Sequence, residues 1–210
     1  MKLYHAALSS SARRVTITAH HLGLRLDEQL VDLRRPEDRA RLIAINPNNK
    51  IPVLEDGDFV LWESHAIMQY LCDKAGPQQT LYPAELRARA DVNRWLFWSS
   101  SHLAPAVGPI NFERMWKKWV TGGDADPALV ARHEGFFHLA AKVLEGHLAD
   151  RTWVSGRDLT LADISIGATL MYAEKTQLPL EPYPRLRAYL GRVRALEGWK
   201  ATEAASSAAD

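Results

Sequence analysis

Cysteine is all but missing from this chain of 210 residues: Cys72 stands alone. A single thiol excludes an intramolecular disulfide and a multi-cysteine zinc site. No apolar run approaches the roughly 20 residues that cross a bilayer as a helix. The opening stretch MKLYHAALSSSARR has no apolar core of the signal-peptide kind. An excess of one charge sign is missing too. The formal net charge of +1 leaves no electrostatic footprint for nucleic acid or an anionic membrane surface. His20, His21, His133, His138 and His147 have no companions at metal-ligand spacing, so no metal is expected. No internal repeat interrupts the chain. With 47% hydrophobic and 24% charged residues, the composition supports a sizeable core, and the reading is a soluble, cytoplasmic protein.

Two kinds of pattern divide the chain. The first third alternates between them. KLYHAA reads as a strand, and SARRVTITAHHLG sets Val15, Ala19 and Leu22 at helical spacing with Gly23 as the stop. LDEQLVDL reads as a second strand and RPEDRARLIAIN as a short helix opened by Pro36. IPVLEDGDFVLWE reads as a hairpin turning at Asp56-Gly57, and SHAIMQYLCDKAG as a helix with Cys72 on its apolar side. The order β-α-β-α-β-β-α requires a right-handed parallel unit and then an antiparallel hairpin. GPQQTLYPAE, with Pro77 and Pro83, reads as a linker. Beyond it strand signals vanish, and four long segments read as helices. The expected domains are 1–76, a linker at 77–84, and an all-helical domain at 85–210. ATEAASSAAD is read as a frayed, low-complexity tail. Trp95 and Trp98, and Trp116 and Trp119, pair at i, i+3 spacing and are read as core. His102 is read as a rim or interface residue. Thr160 and Asp163 form a capping box with a purely structural role.

The stretch NPNNKIPVLEDGDFVLWESHAI, residues 46–67, raises the chemical questions. Pro52 cannot donate to a sheet ladder, so it belongs at a strand start or an edge. An edge there would leave the backbone of Ile51 available to pair with an extended peptide. A cis Ile51-Pro52 bond would turn Ile51 outward; a trans proline closing a loop is the plainer alternative. Glu63 and Ser64 stand where a strand gives way to a helix. A helix N-terminus presents unpaired N–H groups and a partial positive charge, so a ligand carboxylate can dock at Ser64 while Glu63 holds a neighbouring ammonium. An amino-acid head group fits that pair. Read in isolation, the same residues are an ordinary N-cap serine behind a surface glutamate.

This stretch resembles the glutathione-binding half of cytosolic glutathione S-transferases, which carry Asn-Pro, a Lys or Gln, a Val/Ile-cis-Pro, a hairpin and Glu/Asp-Ser in that order. The likeness extends along the chain: the β-α-β-α-β-β-α order matches the family's thioredoxin-like domain, and VSGRDLTLADISIGATL its second-domain capping segment. The resemblance implies an α/β thioredoxin-like N-terminal domain, an all-α C-terminal helical-bundle domain, glutathione as co-substrate and a homodimer. It implies that the Ile51 backbone pairs with the cysteinyl part of glutathione, that Glu63 and Ser64 hold the γ-glutamyl end, and that Lys50 faces the glycine carboxylate. Glu37 departs from the pattern, since the family often has His, Gln or a basic residue there. A glutamate would repel the glycine carboxylate unless Lys50 or Arg34 compensates.

A thiol near pKa 8.5 is mostly protonated at neutral pH. Lowering that value by about two units means stabilising the thiolate by ~2.7 kcal/mol, much of which one hydrogen bond to a charged acceptor supplies. LSSSARRV lies where such a donor belongs, between the first strand and the first helix. It resembles the Ser-x-x-x-Arg turn of the bacterial and serine-type (theta, delta, zeta) classes, which implies Ser9 as the donor, with Ser10 and Ser11 as alternates. Read without the resemblance, the cluster caps the helix. Tyr4 is the rival donor and is read as packing. In the family the helix around 93–116 lines the electrophile pocket, so the resemblance implies an apolar pocket from Phe112, Met115 and Trp116. The expected activity is thiolate attack on an apolar electrophile, or on a disulfide or peroxide. The alternative is a non-catalytic ligand- or protein-binding module of the same fold.

Overall fold

The computed structural model describes residues 1–207. It divides into two compact units, one of Met1–Ala84 with the described residues from Ala195 onward, the other of Glu85–Arg194. The sequence reading keeps 195–210 with the helical domain; the described residues of that segment belong with the first unit.

In the first unit β1 (Lys2–His5), α1 (Ser10–His21), β2 (Asp27–Leu30), α2 (Pro36–Ile45), β3 (Val53–Asp56), β4 (Phe59–Trp62) and α3 (Ser64–Ala75) follow one another as expected. The strands form one sheet in the order β2-β1-β3-β4. β1 and β2 are parallel, and β3 is antiparallel to both β1 and β4. Gly57 turns the hairpin at φ 66°, a value that a side chain would oppose. Directly opposed residues share a face. Tyr4 and Val53 face α2, where Val31, Leu42 and Ile45 complete a small cluster. Leu3 and Leu54, opposed on the other face, are fully buried.

Two expectations are corrected here. β3 lies inside the sheet, so Pro52 marks a strand start and not an edge. Proline is tolerated there because Val53 is the first residue of the ladder. The tail is not frayed over its described part: α10 (Glu197–Ser207) includes residues 201–207, while 208–210 lie outside the described residues. α10 packs on α1. Arg13 fixes it, donating to the Trp199 carbonyl at 3.1 Å and to Thr202 Oγ1 at 3.3 Å. Its guanidinium also stacks over the Trp199 ring at 4.1 Å.

In the second unit α4 (Leu86–Trp98) runs through a π-helical turn, Ser99–Leu103, into α5 (Ala104–Asn111). A second π-helical turn, Phe112–Trp116, leads into α6 (Lys117–Thr121). α7 (Pro127–His147), α8 (Leu161–Thr169) and α9 (Pro184–Arg194) complete it. Asp163, fully buried at the start of α8, accepts from the backbone N–H groups of Val154 and Thr160, both at 2.9 Å, and from the Tyr189 hydroxyl at 3.1 Å. The capping box therefore ties α8 to the preceding loop and to α9. Trp95 is buried, but Trp119 is 62% exposed and does not belong to the core. Its spacing repeats that of the first pair, yet α6 buries none of its residues. Among the described residues no helix is long and apolar enough to cross a membrane, and no group of three or more His, Cys, Asp or Glu could hold a metal ion.

Candidate functional site

Sheet register brings three chain segments to one end of the first unit. β1 ends near the Tyr4–Val53 pair, β3 begins there, and β4 ends at the Val53–Trp62 pair. The segments that continue from these ends carry Ser9, Ile51-Pro52 and Glu63-Ser64.

Ser9 is the N-cap of α1, with extended backbone (φ −83°, ψ 116°). Its Oγ accepts the Ala12 N–H at 3.2 Å, and its carbonyl accepts the Arg13 N–H at 2.8 Å. A hydroxyl that accepts still has its own proton to donate. The cap thus fixes the rotamer while leaving the donor function for another acceptor. Ser10 and Ser11 are the first two residues of α1, half-buried like Ser9. The Tyr4 hydroxyl donates to Glu55 at 3.0 Å, and its ring packs on the α2 cluster. Cys72 is fully buried.

The Ile51-Pro52 bond is cis. Among the described residues the Ile51 N–H and C=O make no hydrogen bond. The expectation that Ile51 turns outward does not hold for its side chain, which packs on Val31, Leu42 and Val53. An apolar side chain beside an apolar cluster gains by burial. Lys50, next to it, is exposed. The loop before it is organised by Asn46, which the sequence reading names within Asn-Pro but gives no role of its own. Asn46 is buried; its Nδ2 donates to the Lys50 carbonyl at 2.7 Å, and its Oδ1 accepts the Asn48 N–H at 3.1 Å. The signal was present in the cluster of Asn and Pro that marks a turn.

Glu63 adopts φ 72°, ψ 109° immediately before α3, a conformation that non-glycine residues rarely take and that concentrates at ligand sites. Its carbonyl accepts the Ile67 N–H at 3.0 Å. Ser64 opens α3 and is 7% exposed. Beneath this turn lies a second feature missed from sequence. Arg14 Nη1 stands 2.6 Å from Nε2 of His65. Burial brings the Arg14 pKa down to about 10, with the Glu63 charge opposing the fall. Burial first, and the Arg14 charge second, push His65 down to about 3. Arg14 is a cation and His65 is neutral at physiological pH.

In the second unit Phe112, Met115 and Trp116 all lie on the π-helical turn Phe112–Trp116. Phe112 is exposed, Met115 half-buried, and Trp116 meets Tyr172 edge-on at 5.7 Å. π-helical turns inside α-helices recur at functional sites.

The first unit's residues 8–74 match the family model described as the glutathione S-transferase N-terminal domain, and residues 127–192 match the glutathione S-transferase C-terminal domain. A solved glutathione S-transferase III in apo form is similar at 31% identity, over 97% of this chain and 95% of that one, with a TM-score of 0.84. The chain belongs to the glutathione S-transferase family. Glutathione S-transferase 1-6 from Anopheles dirus species B is similar at 27% identity, 99% and 96% coverage and a TM-score of 0.87. A delta-class glutathione transferase of Nilaparvata lugens follows at 30%, 99% and 95%, with a TM-score of 0.83. The family's thioredoxin-like unit and all-helical unit are those described above, and its activity, glutathione transfer, is the function of this chain.

Proposed function

We propose that the protein is a serine-type glutathione transferase in which Ser9 donates its hydroxyl hydrogen to the glutathione sulfur. The observation that carries this reading is the Ser9 cap, whose Oγ is fixed by the Ala12 N–H with its own proton left to give. The sulfur would sit beside the positive end of α1, which adds to the stabilisation of a thiolate. Lys50 faces the glycine carboxylate, the Ile51 backbone pairs with the cysteinyl unit, and Glu63 and Ser64 take the ammonium and carboxylate of the γ-glutamyl head. The thiolate attacks an electrophilic carbon; a C–S bond forms, the leaving group departs with its electron pair, and the thiol proton passes to solvent. Phe112, Met115 and Trp116 favour an apolar electrophile, which fits a detoxifying role in the cytoplasm.

The protein acts as a homodimer in this reading. Phe136, Leu139 and Val143, all exposed on one side of α7, border a groove of about 360 Å³ with Trp98 and Pro105, and such a patch is suited to burial against a second copy.

Turnover of an apolar aryl halide with glutathione tests the assignment. Ser9→Ala should lower the rate at neutral pH by roughly ten- to a hundredfold, with glutathione affinity little changed and part of the rate restored at higher pH. Full activity in Ser9→Ala with loss in Ser10→Ala or Ser11→Ala would move the donor along the turn. Full activity in all three would remove the hydroxyl donor altogether.

A further inference from the structure

Two positive features converge on the Glu63–Ser64 turn. The first is the N-terminus of α3, with its unpaired N–H groups. The second is Arg14, which reaches from α1 to the second residue of α3 and is only 5% exposed. A guanidinium has donors and no acceptor, so Nε2 of His65 must be the acceptor and the imidazole proton must sit on Nδ1. His65 therefore holds Arg14 without neutralising it. The Glu63 carboxylate acts on that charge from the surface, and Glu63 is the residue whose backbone is drawn into the left-handed region.

We propose that Arg14, anchored by His65, is the positioning residue of the head-group subsite: its buried charge fixes the Glu63–Ser64 turn and selects a carboxylate over a neutral group at the start of α3. Arg14 does not touch the ligand. It acts through field and through the turn, and a buried charge is screened far less than a surface one. The inference rests on the functional reading above, because the carboxylate concerned is that of the γ-glutamyl head.

The test compares two peptides by calorimetry: glutathione, and its analogue without the γ-glutamyl α-carboxylate (γ-aminobutyryl-cysteinyl-glycine). In the wild-type protein, loss of the carboxylate should weaken binding about thirtyfold. In Arg14→Met the same loss should cost only about threefold, a tenfold coupling between residue and carboxylate. The glutathione KM of Arg14→Met should rise about tenfold with kcat changed less than about twofold. Should Arg14→Met fail to fold, His65→Leu should narrow the ratio between the peptides to about tenfold by releasing the guanidinium, and His65→Gln, which keeps an acceptor, should restore it. A role confined to stability would weaken both peptides alike, and an unchanged thirtyfold ratio in Arg14→Met or His65→Leu overturns the inference. If the wild-type protein fails to bind glutathione at all, the functional reading falls and this inference with it.

Discussion

At the scale of single residues, the candidate site is built from side chains that each hold two things at once. Ser9 closes α1 through its oxygen and offers its hydrogen elsewhere, so the two roles can be separated by substitution. Ser9→Gly should lose activity as Ser9→Ala does, but glycine is tolerated at an N-cap. Thermal unfolding should show Ser9→Ala destabilised by about 1 kcal/mol and Ser9→Gly by only a few tenths. The neutral state of His65 makes a second prediction. Its folded pKa, about 3, lies below its unfolded value, so the unfolded chain binds more protons between the two. The stability this group contributes is complete above about pH 6.5 and should be lost at up to about 1.4 kcal/mol per pH unit on acidification toward 3. His5 and His21, whose pKa values burial also lowers, add to the same slope. Denaturant unfolding of His65→Gln against the parent protein should show a shallower loss; parallel curves would contradict it. The cap at Ser9 and the strand-to-helix turn at Glu63-Ser64 were legible in the sequence because such features have local signatures. Arg14 was not. Charged side chains are ordinarily solvated, and its partner lies 51 positions away in the chain, beyond what a local pattern records.

At the scale of elements, every strand and helix of the first unit through α3 was legible, because periodicity switches between two and 3.6 residues and Gly23 and Gly57 punctuate it. What escaped depends on packing. The helical path through residues 104–121 carries Pro105 and Pro109, which argue locally against a helix. α10 looked disordered because ATEAASSAAD has little apolar surface; its order comes from Arg13 and Trp199. This gives a third prediction. Arg13→Ala should destabilise the protein by about 2–3 kcal/mol, since it removes hydrogen bonds and a ring contact from a buried cation. The loss should shrink by about 1 kcal/mol when the comparison is repeated in Trp199→Ala, where the ring is gone but the residue 199 carbonyl and Thr202 still accept. Equal losses in both backgrounds, measured by chemical unfolding, would show that the ring contact contributes nothing.

At the scale of the whole molecule, two units divide the candidate functions: the first carries Ser9, Lys50, Ile51, Glu63 and Ser64, the second Phe112, Met115 and Trp116. The second unit depends on Asp163. Burial pushes its pKa up, while hydrogen bonds from Val154, Thr160 and Tyr189 oppose the rise. Asp163→Ala removes the acceptor from those groups and should destabilise the protein by about 3–5 kcal/mol, with Asp163→Asn milder, as read from urea midpoints. The capping box was legible from Thr160 and Asp163 alone; the Tyr189 bond across 26 positions was not. The homodimer proposed above should give twice the chain mass in light scattering at micromolar concentration. Phe136→Asp should then give the monomer, and an unaffected mass would place the interface elsewhere.

The central claim is that this protein turns a bound thiol into a thiolate through Ser9. The most direct measurement is the ultraviolet titration of glutathione's sulfur in the complex. For the wild-type protein the account predicts an apparent pKa about two units below the free value near 8.5. In Ser9→Gly it predicts a return of one to two units toward that value, a loss of ~1.4–2.7 kcal/mol of thiolate stabilisation. An identical, depressed pKa in both proteins would contradict it.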